Sequence, residues 1–352
     1  MGSTVKSPKK IMLALQGGGA HGAYTWGVLE RLLAEPNLEI IAVTGTSAGA
    51  MNAAVLAYGL GPGRDDRTGA ANKLREFWTQ VSALGELWMN PYRFGNPLNG
   101  TWNTDELPPY IALSLLGGAF SPYDAPLKAT NPLIYPLQRC LPDLKHGQSN
   151  IVPLYVCATN VKSMRRRIFA SQKGEITYKA LEASAAVPSV FRAVEAEPGE
   201  FYWDGGFMGN PVLSCLLNHK DVCPDMLIVE INPWQCHTVP ERPWEIANRQ
   251  NEITFSSSLA LELNALQTVN ELLPQLKSEH QANKKHIFFH HIPSRLADLG
   301  VNSKFNSSMD FLEELRQRGE KAASDWLEKH WQDINTRSSL TIKPLLDSVM
   351  SK

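Results

Sequence analysis

Leu38-Glu39-Ile40-Ile41-Ala42-Val43-Thr44-Gly45-Thr46-Ser47-Ala48-Gly49 joins an apolar run to a G-x-S-x-G pentapeptide. The β-branched run reads as a strand and the small-residue stretch after it as a helix, so Ser47 falls on a sharp strand-to-helix turn. Gly45 and Gly49 let the two backbones pass closely. The serine can then hold a strained turn with its Oγ exposed and the N–H of Ala48 aimed at it. Gly17-Gly18-Gly19-Ala20-His21-Gly22 sharpens this reading. It too follows a short apolar run, Ile11 to Leu15, and opens a helix, and its N–H groups suit a developing oxyanion.

Outward from these two turns, the chain reads as strand Lys10 to Leu15, a helix over about 22–34 ended by Pro36, strand Leu38 to Val43 and a helix over about 48–58. This is a βαβα start. A helix over about 71–84 follows. Strands are expected over Ile151 to Thr159, Arg167 to Ala170, Met226 to Ile231 and Ile287 to His291, with Phe201-Tyr202-Trp203 as a further apolar aromatic strand. A long helical stretch runs from Trp244 to Ser278, interrupted near Pro274, and a charged amphipathic helix from about Ser308 to His330. Strands interleaved with helices imply an α/β fold with a mostly parallel sheet covered on both faces. The expected organisation is a disordered terminus over 1–9, one catalytic-type domain over 10–300 with a cap-like insert at about 86–146, and a helical extension over 301–352.

The chain has 352 residues, 43% of them hydrophobic, enough to bury a substantial core. Thirty-four basic side chains against 35 acidic ones leave a formal charge of −1, so nothing global draws the chain to nucleic acid or anionic lipid. The five cysteines, Cys140, Cys157, Cys215, Cys223 and Cys236, are widely spaced without a C-x-x-C pair, and read as reduced thiols. Neither a signal peptide nor a myristoylation motif is legible at the N-terminus, where Lys6 stands in place of the required Ser or Thr. No apolar stretch approaches the ~18 residues of a membrane span. A soluble, cytoplasmic protein is expected, with any membrane contact peripheral.

The first glycine loop has rival readings. Gly17, Gly19 and Gly22 match G-x-G-x-x-G, but the second strand ends in Gly45-Thr46-Ser47 where a ribose-binding acid belongs. A phosphate-binding P-loop needs Lys and Ser/Thr after the last glycine, where Ala23 and Tyr24 stand. A merely tight turn stays open.

A nucleophilic serine needs a base. Asp204, in Phe201-Tyr202-Trp203-Asp204-Gly205-Gly206, is one candidate: an apolar aromatic strand would desolvate its surroundings, raise its pKa and make it a better base. An ordinary Asp-Gly turn is the plain alternative. The order Ser47, Asp204, then His286, His290 or His291 also fits a Ser-Asp-His hydrolase, although here the elbow follows only the second strand and the histidines alternate as on two faces of a strand. Without H-E-x-x-H, the histidine cluster does not read as a metal site.

Four blocks in order resemble the patatin-like phospholipase family. They are Gly17 to Gly22, Gly45 to Gly49, Ala183-Ser184-Ala185-Ala186-Val187-Pro188 with Phe191, and Asp204-Gly205-Gly206. The resemblance implies a three-layer α/β/α sandwich and a lipid acyl hydrolase acting on carboxylic esters through a Ser47–Asp204 dyad. It further implies oxyanion donors among the N–H groups of Gly17, Gly18, Gly19 and Ala48, with Gly22, Gly45, Gly49, Gly205 and Gly206 supporting the motifs. No metal or organic cofactor is implied, and the partner expected is lipid, met at a membrane or aggregate surface. Homo-oligomerisation has no support in the sequence. One departure from the family pattern is visible: His21 stands where Arg or Lys usually follows G-G-G-x. Ser184 and Pro188 are assigned to packing beside the site. The aromatics Trp88, Tyr92, Phe94, Trp102 and Tyr110 of the insert read either as an acyl channel or as core of an irregular cap. Arg165-Arg166-Arg167 reads as a solvated turn rather than a headgroup site. The alternative of a different class is a non-catalytic lipid- or protein-binding module on the same fold.

Overall fold

The structure, a computed structural model, describes residues 8–87, 102–103, 105, 121–124, 131–146, 151–188, 190–217, 225–236, 238–272 and 286–341. Its strands are β1 (Lys9–Leu15), β2 (Leu38–Thr46), β3 (Leu154–Asn160), β4 (Arg166–Ala170), β5 (Val194–Glu197), β6 (Glu200–Asp204), β7 (Asp225–Val229) and β8 (Phe288–Ile292). They form one sheet in the order β5-β6-β3-β2-β1-β7-β8, with β4 also paired to β3. The pairings among β3, β2, β1, β7 and β8 are all parallel, and those of β4, β5 and β6 are antiparallel.

The helices are α1 (Gly22–Leu33), α2 (Ala48–Gly59), α3 (Arg67–Leu87), α4 (Ile134–Cys140), α5 (Tyr178–Ser184), α6 (Ser214–Leu217), α7 (Pro243–Leu272) and α8 (Met309–His330). Successive strand residues point to opposite faces. Along β1, Ile11, Leu13 and Leu15 enter a core shared with α1, α2, α3 and α8, whereas Met12 and Ala14 enter a second core with α6 and α7. The continuous apolar run of β1 is the signature of a strand covered twice, and the result is a three-layer α/β/α fold.

β3 positions the site. β4 occupies one edge of β3 from Tyr155 to Thr159, so β2 and β6 must share the other. β2 pairs with it as far as Thr46↔Cys157, and β6 takes over at Asp204↔Ala158. The C-terminal ends of two oppositely directed strands therefore meet along one edge of β3, at Ser47 on one side and Asp204 on the other. Among the described residues the expected strands and helices are present with boundaries shifted by a few residues; the part of the long helical stretch expected over 273–278, with Pro274, lies outside them. β5 was not expected; it forms a hairpin with β6 through Gly199, which turns with φ 74.

The C-terminal helix, read as an exposed extension, belongs to the main core. α8 buries Phe311, Leu312, Leu315, Trp326 and Leu327 in the first cluster. It crosses α1 where both helices carry glycine: a Cβ on Gly27 would lie 1.8 Å from the Arg316 carbonyl oxygen, and one on Gly319 1.9 Å from that of Tyr24. Beside the crossing, Arg316 pairs with Glu30 at 2.9 Å. Among the described residues no helix is long and apolar enough to cross a membrane. Cys140, Cys157, Cys215 and Cys236 are free thiols, and Cys223 lies outside the described residues.

Candidate active site

Ser47 sits between β2 and α2 with φ 55 and ψ −126, a left-handed conformation that a residue with a Cβ adopts at a cost of about 1–3 kcal/mol. Three contacts hold it there. Its N–H donates to Ser184 Oγ at 2.9 Å, its carbonyl accepts from the Ala50 N–H at 2.9 Å, and Thr46 Oγ1 donates to the Gly209 carbonyl at 2.7 Å. Ser184, expected only to pack, thus fixes the elbow. A Cβ on Gly45 would lie 2.4 Å from the Gly49 carbonyl oxygen and one on Gly49 2.2 Å from that of Leu15, so the tight turn excludes larger residues at both.

Asp204 ends β6 with its N–H donating to the Ala186 carbonyl at 2.9 Å and its own carbonyl accepting from Thr159 Oγ1 at 2.9 Å. Its side chain is 1% exposed. Oδ1 accepts from the Gly206 N–H at 2.7 Å, while Oδ2 has no hydrogen-bond partner among the described residues. Burial lifts the carboxyl pKa to about 6, against the opposing influence of the Gly206 N–H, the Ser47 hydroxyl and the Lys304 charge. The Ser47 hydroxyl lies close enough to the carboxylate to favour its ionised form. Gly205 is packed against β3, where a Cβ would lie 2.2 Å from the Cys157 carbonyl oxygen.

The glycine loop lies directly on the elbow: a Cβ on Gly17 would be 2.4 Å from the Thr46 carbonyl oxygen and 2.6 Å from Ser47 Cβ. The Gly17 N–H is already engaged, donating to Asn210 Oδ1 at 2.6 Å, so of the four expected oxyanion donors it is the one not available. The N–H groups of Gly18, Gly19 and Ala48 find no acceptor among the described residues. Gly19 turns with φ 60, which glycine adopts without strain. Gly22 adjoins Ala48, and its carbonyl accepts from Asn52 Nδ2 at 2.9 Å.

Around this loop stand polar residues that no motif marks. Gln16 Oε1 accepts from the N–H groups of Ile231 and Asn232 at 2.8 and 2.9 Å, tying β1 to the end of β7. Asn232 Nδ2 donates to the Gly17 carbonyl at 3.0 Å. The turn Val301–Phe305 packs on the loop from the other side and brings Lys304, whose ammonium donates to Asn232 Oδ1 at 2.7 Å and Asn251 Oδ1 at 2.5 Å. Burial depresses its pKa to about 8, while Glu252, Asp105 and Asp204 act to keep it charged. These residues come from distant parts of the chain, and each is an unremarkable Asn, Gln or Lys in sequence.

His21 is buried and its pKa is held well below the ordinary histidine value, by burial first and by Lys304 and Arg318 next. Its Nε2 lies 2.7 Å from Ser303 Oγ, whose proton goes to the Gly300 carbonyl. The network therefore assigns His21 Nε2 as a hydrogen-bond donor, and burial beside Lys304 and Arg318 disfavours a charge on the ring. His290 and His291 stand on β8, separated from β2 by β7 and β1. His290 bonds Asp225 at 2.7 Å and Ser339 at 2.9 Å, and His291 bonds Glu230 at 2.6 Å and stacks on Trp234. His286 lies against Phe288. None of these contacts involves Ser47, so the histidine triad lacks its geometry. Among the described residues no cluster of His, Cys, Asp and Glu is arranged to hold a metal ion.

Arg166 and Arg167 belong to β4, with Arg167 paired to Glu175 and Glu197 at 3.1 and 2.9 Å and Arg166 to Glu262 at 3.4 Å. Trp102 packs on Phe311 at 5.1 Å against the core. Trp88, Tyr92, Phe94 and Tyr110 lie outside the described residues.

With the strand-to-helix turn at Ser47, the buried Asp204 carboxyl group and the glycine loop meeting at the end of its parallel strands, the chain falls in the class of three-layer α/β/α folds. Within that class, the chain belongs to the patatin-like phospholipase family, whose model matches residues 13–216, more than half its length. Membership of this family supports a lipid hydrolase function in general terms. No curated protein sequence matches the chain. Among solved structures it is similar to VipD from Legionella pneumophila, at 15% identity with a TM-score of 0.40, covering 92% of this chain and 67% of that one. It is also similar to the ExoU–SpcU complex of the Pseudomonas aeruginosa type III secretion system, at 17% identity and a TM-score of 0.34, covering 93% of this chain and 52% of that one. The chain thus spans about half the length of the ExoU structure, and scores this low carry no functional weight.

Proposed function

We propose that the protein cleaves carboxylic esters of phospholipids or related lipids by two-step acyl transfer, with Ser47 as nucleophile and Asp204 as base. The observation that carries this reading is the meeting of the strained Ser47 elbow and the buried Asp204 carboxylate on one edge of β3. Asp204 takes the Ser47 proton as Oγ attacks the ester carbonyl. The tetrahedral oxyanion is held by the N–H groups of Gly18, Gly19 and Ala48. On collapse, Asp204 passes the proton to the departing alkoxide and the acyl group stays on Ser47. Water then gives a proton to Asp204, attacks the acyl-enzyme and releases the fatty acid, and the proton returns to Ser47 Oγ. A carboxyl with a pKa near 6 suits both transfers at neutral pH. No step calls on a metal or an organic cofactor.

Release of fatty acid from phosphatidylcholine micelles by purified protein tests the reading. Ser47→Ala and Asp204→Asn should each abolish it, and the double variant should be no worse than either single, because nucleophile and base act as a unit. Near-normal turnover by Asp204→Asn would remove the carboxylate from the chemistry.

A further inference from the structure

The peptide between Gly17 and Gly18 is held more firmly than a tight turn requires. The peptide before it, Gln16–Gly17, is fixed by Asn210, whose Oδ1 accepts from the Gly17 N–H at 2.6 Å. The Gly17 oxygen accepts from Asn232 Nδ2 at 3.0 Å and, more weakly, from Asn210 Nδ2 at 3.4 Å. The bond is trans, and in a planar trans peptide the carbonyl and the following N–H point to opposite sides. Holding the Gly17 oxygen on the Asn232 side therefore directs the Gly18 N–H away from Asn232.

Asn232 can do this only with its amide one way round. Its Oδ1 receives the Lys304 ammonium at 2.7 Å, and its backbone N–H is held by Gln16. A flipped amide would set NH2 against the ammonium and oxygen against the Gly17 carbonyl, two repulsions in place of two hydrogen bonds. Lys304 is itself committed, with a second bond to Asn251 Oδ1 at 2.5 Å and its main-chain carbonyl oxygen 2.5 Å from where a Cβ on Gly19 would stand. Burying an ammonium costs stability unless hydrogen bonds and charges offset it, and Lys304 is placed where its hydrogen bond decides the orientation of a group beside the oxyanion loop. Burial disfavours a charge on His21, within that loop, and the Lys304 ammonium is brought beside it by the distant turn Val301–Phe305.

We propose that Lys304 is a positioning residue for ester hydrolysis, acting through Asn232 and the Gly17 carbonyl to aim the Gly18 N–H into the oxyanion site. This rests on the Ser47 acyl-transfer reading. If the relay is the route, removing the cation and removing the Asn232 donor are the same lesion. Asn232→Asp cuts that route at its second link, because it keeps an acceptor for Lys304 while the NH2 that reaches Gly17 becomes a carboxylate oxygen, which repels that carbonyl as a flipped amide would.

The test is the steady-state kinetics of Lys304→Met, Asn232→Asp and the double variant on a soluble p-nitrophenyl ester, with thermal melting to establish folding. Each single variant should lower kcat about 10- to 100-fold, short of the ~10²–10³-fold that loss of an oxyanion donor costs, and KM should change less than about threefold. The double variant should be no slower than the slower single. Where turnover is slow, the rate of Ser47 labelling by a fluorophosphonate gives the same comparison. Should Lys304→Met not fold, Asn232→Asp alone decides. Full kcat in a folded single variant whose hydrolysis still depends on Ser47 overturns the relay and leaves the acyl-transfer reading standing, as does a double-variant loss equal to the product of the singles. Hydrolysis that survives Ser47→Ala unchanged overturns both.

Discussion

The Asp204 carboxyl is 1% exposed and has a pKa near 6, so its folded-state value lies above the ordinary 3.8. Between these values the native state holds a proton that the unfolded chain has lost, and stability falls as pH rises through that window. At neutral pH the ionised carboxylate therefore destabilises the fold, by about 1–3 kcal/mol. Asp204→Asn should raise the melting temperature at neutral pH while it removes activity, a pairing expected of a functional residue held in an unfavourable place. An unchanged or lower melting temperature would count against the burial account. The same shift sets the rate profile on a soluble ester: kcat/KM should rise about tenfold per pH unit below the carboxyl pKa of about 6 and level off above it. A profile flat through that pKa would point to a different base.

At the scale of elements, the α1–α8 crossing makes a separable prediction. A Cβ on Gly319 would lie 1.9 Å from the Tyr24 carbonyl oxygen, a backbone atom that cannot step aside without moving α1. Gly319→Ala should therefore destabilise by about 1–3 kcal/mol, measured by denaturant unfolding. An unchanged midpoint would mean that the helices are not in this close contact. The crossing was not legible in sequence, where α8 shows only a charged face and an apolar face and nothing names the partner of the apolar one. β1, β2, α1 and α2 were legible because each turn between them carries a local signal, Gly17 to Gly22 or Gly45 to Gly49, beside an apolar run. β5 escaped because Val194-Glu195-Ala196-Glu197 is short and half charged, and pairs only at the sheet's edge. Ser47 and Asp204 were readable from their glycine neighbours, whereas Asn232 and Lys304 acquire their places only when β7 and the turn Val301–Phe305 reach the loop.

At the scale of the whole molecule, the segment after residue 300 is not an appendage. It supplies Lys304 and Ser303 to the glycine loop and Phe311, Leu315 and Trp326 to the main core. The chain should therefore unfold in one cooperative transition, with activity and far-UV circular dichroism lost together. A variant truncated after residue 300 should fail to give soluble folded protein, because it would leave the apolar face of α1 uncovered. A stable, active truncated protein would restore the picture of a separate extension. The net charge is −1, and among the described residues no helix is long and apolar enough to cross a membrane.

The central claim, that Ser47 is an activated nucleophile with Asp204 as its base, is tested most directly by fluorophosphonate labelling followed by peptide mass mapping. The account predicts a single adduct on Ser47 in the wild-type protein, none in Ser47→Ala, and labelling strongly slowed in Asp204→Asn. An adduct on another serine, or undiminished labelling of Asp204→Asn, would contradict it.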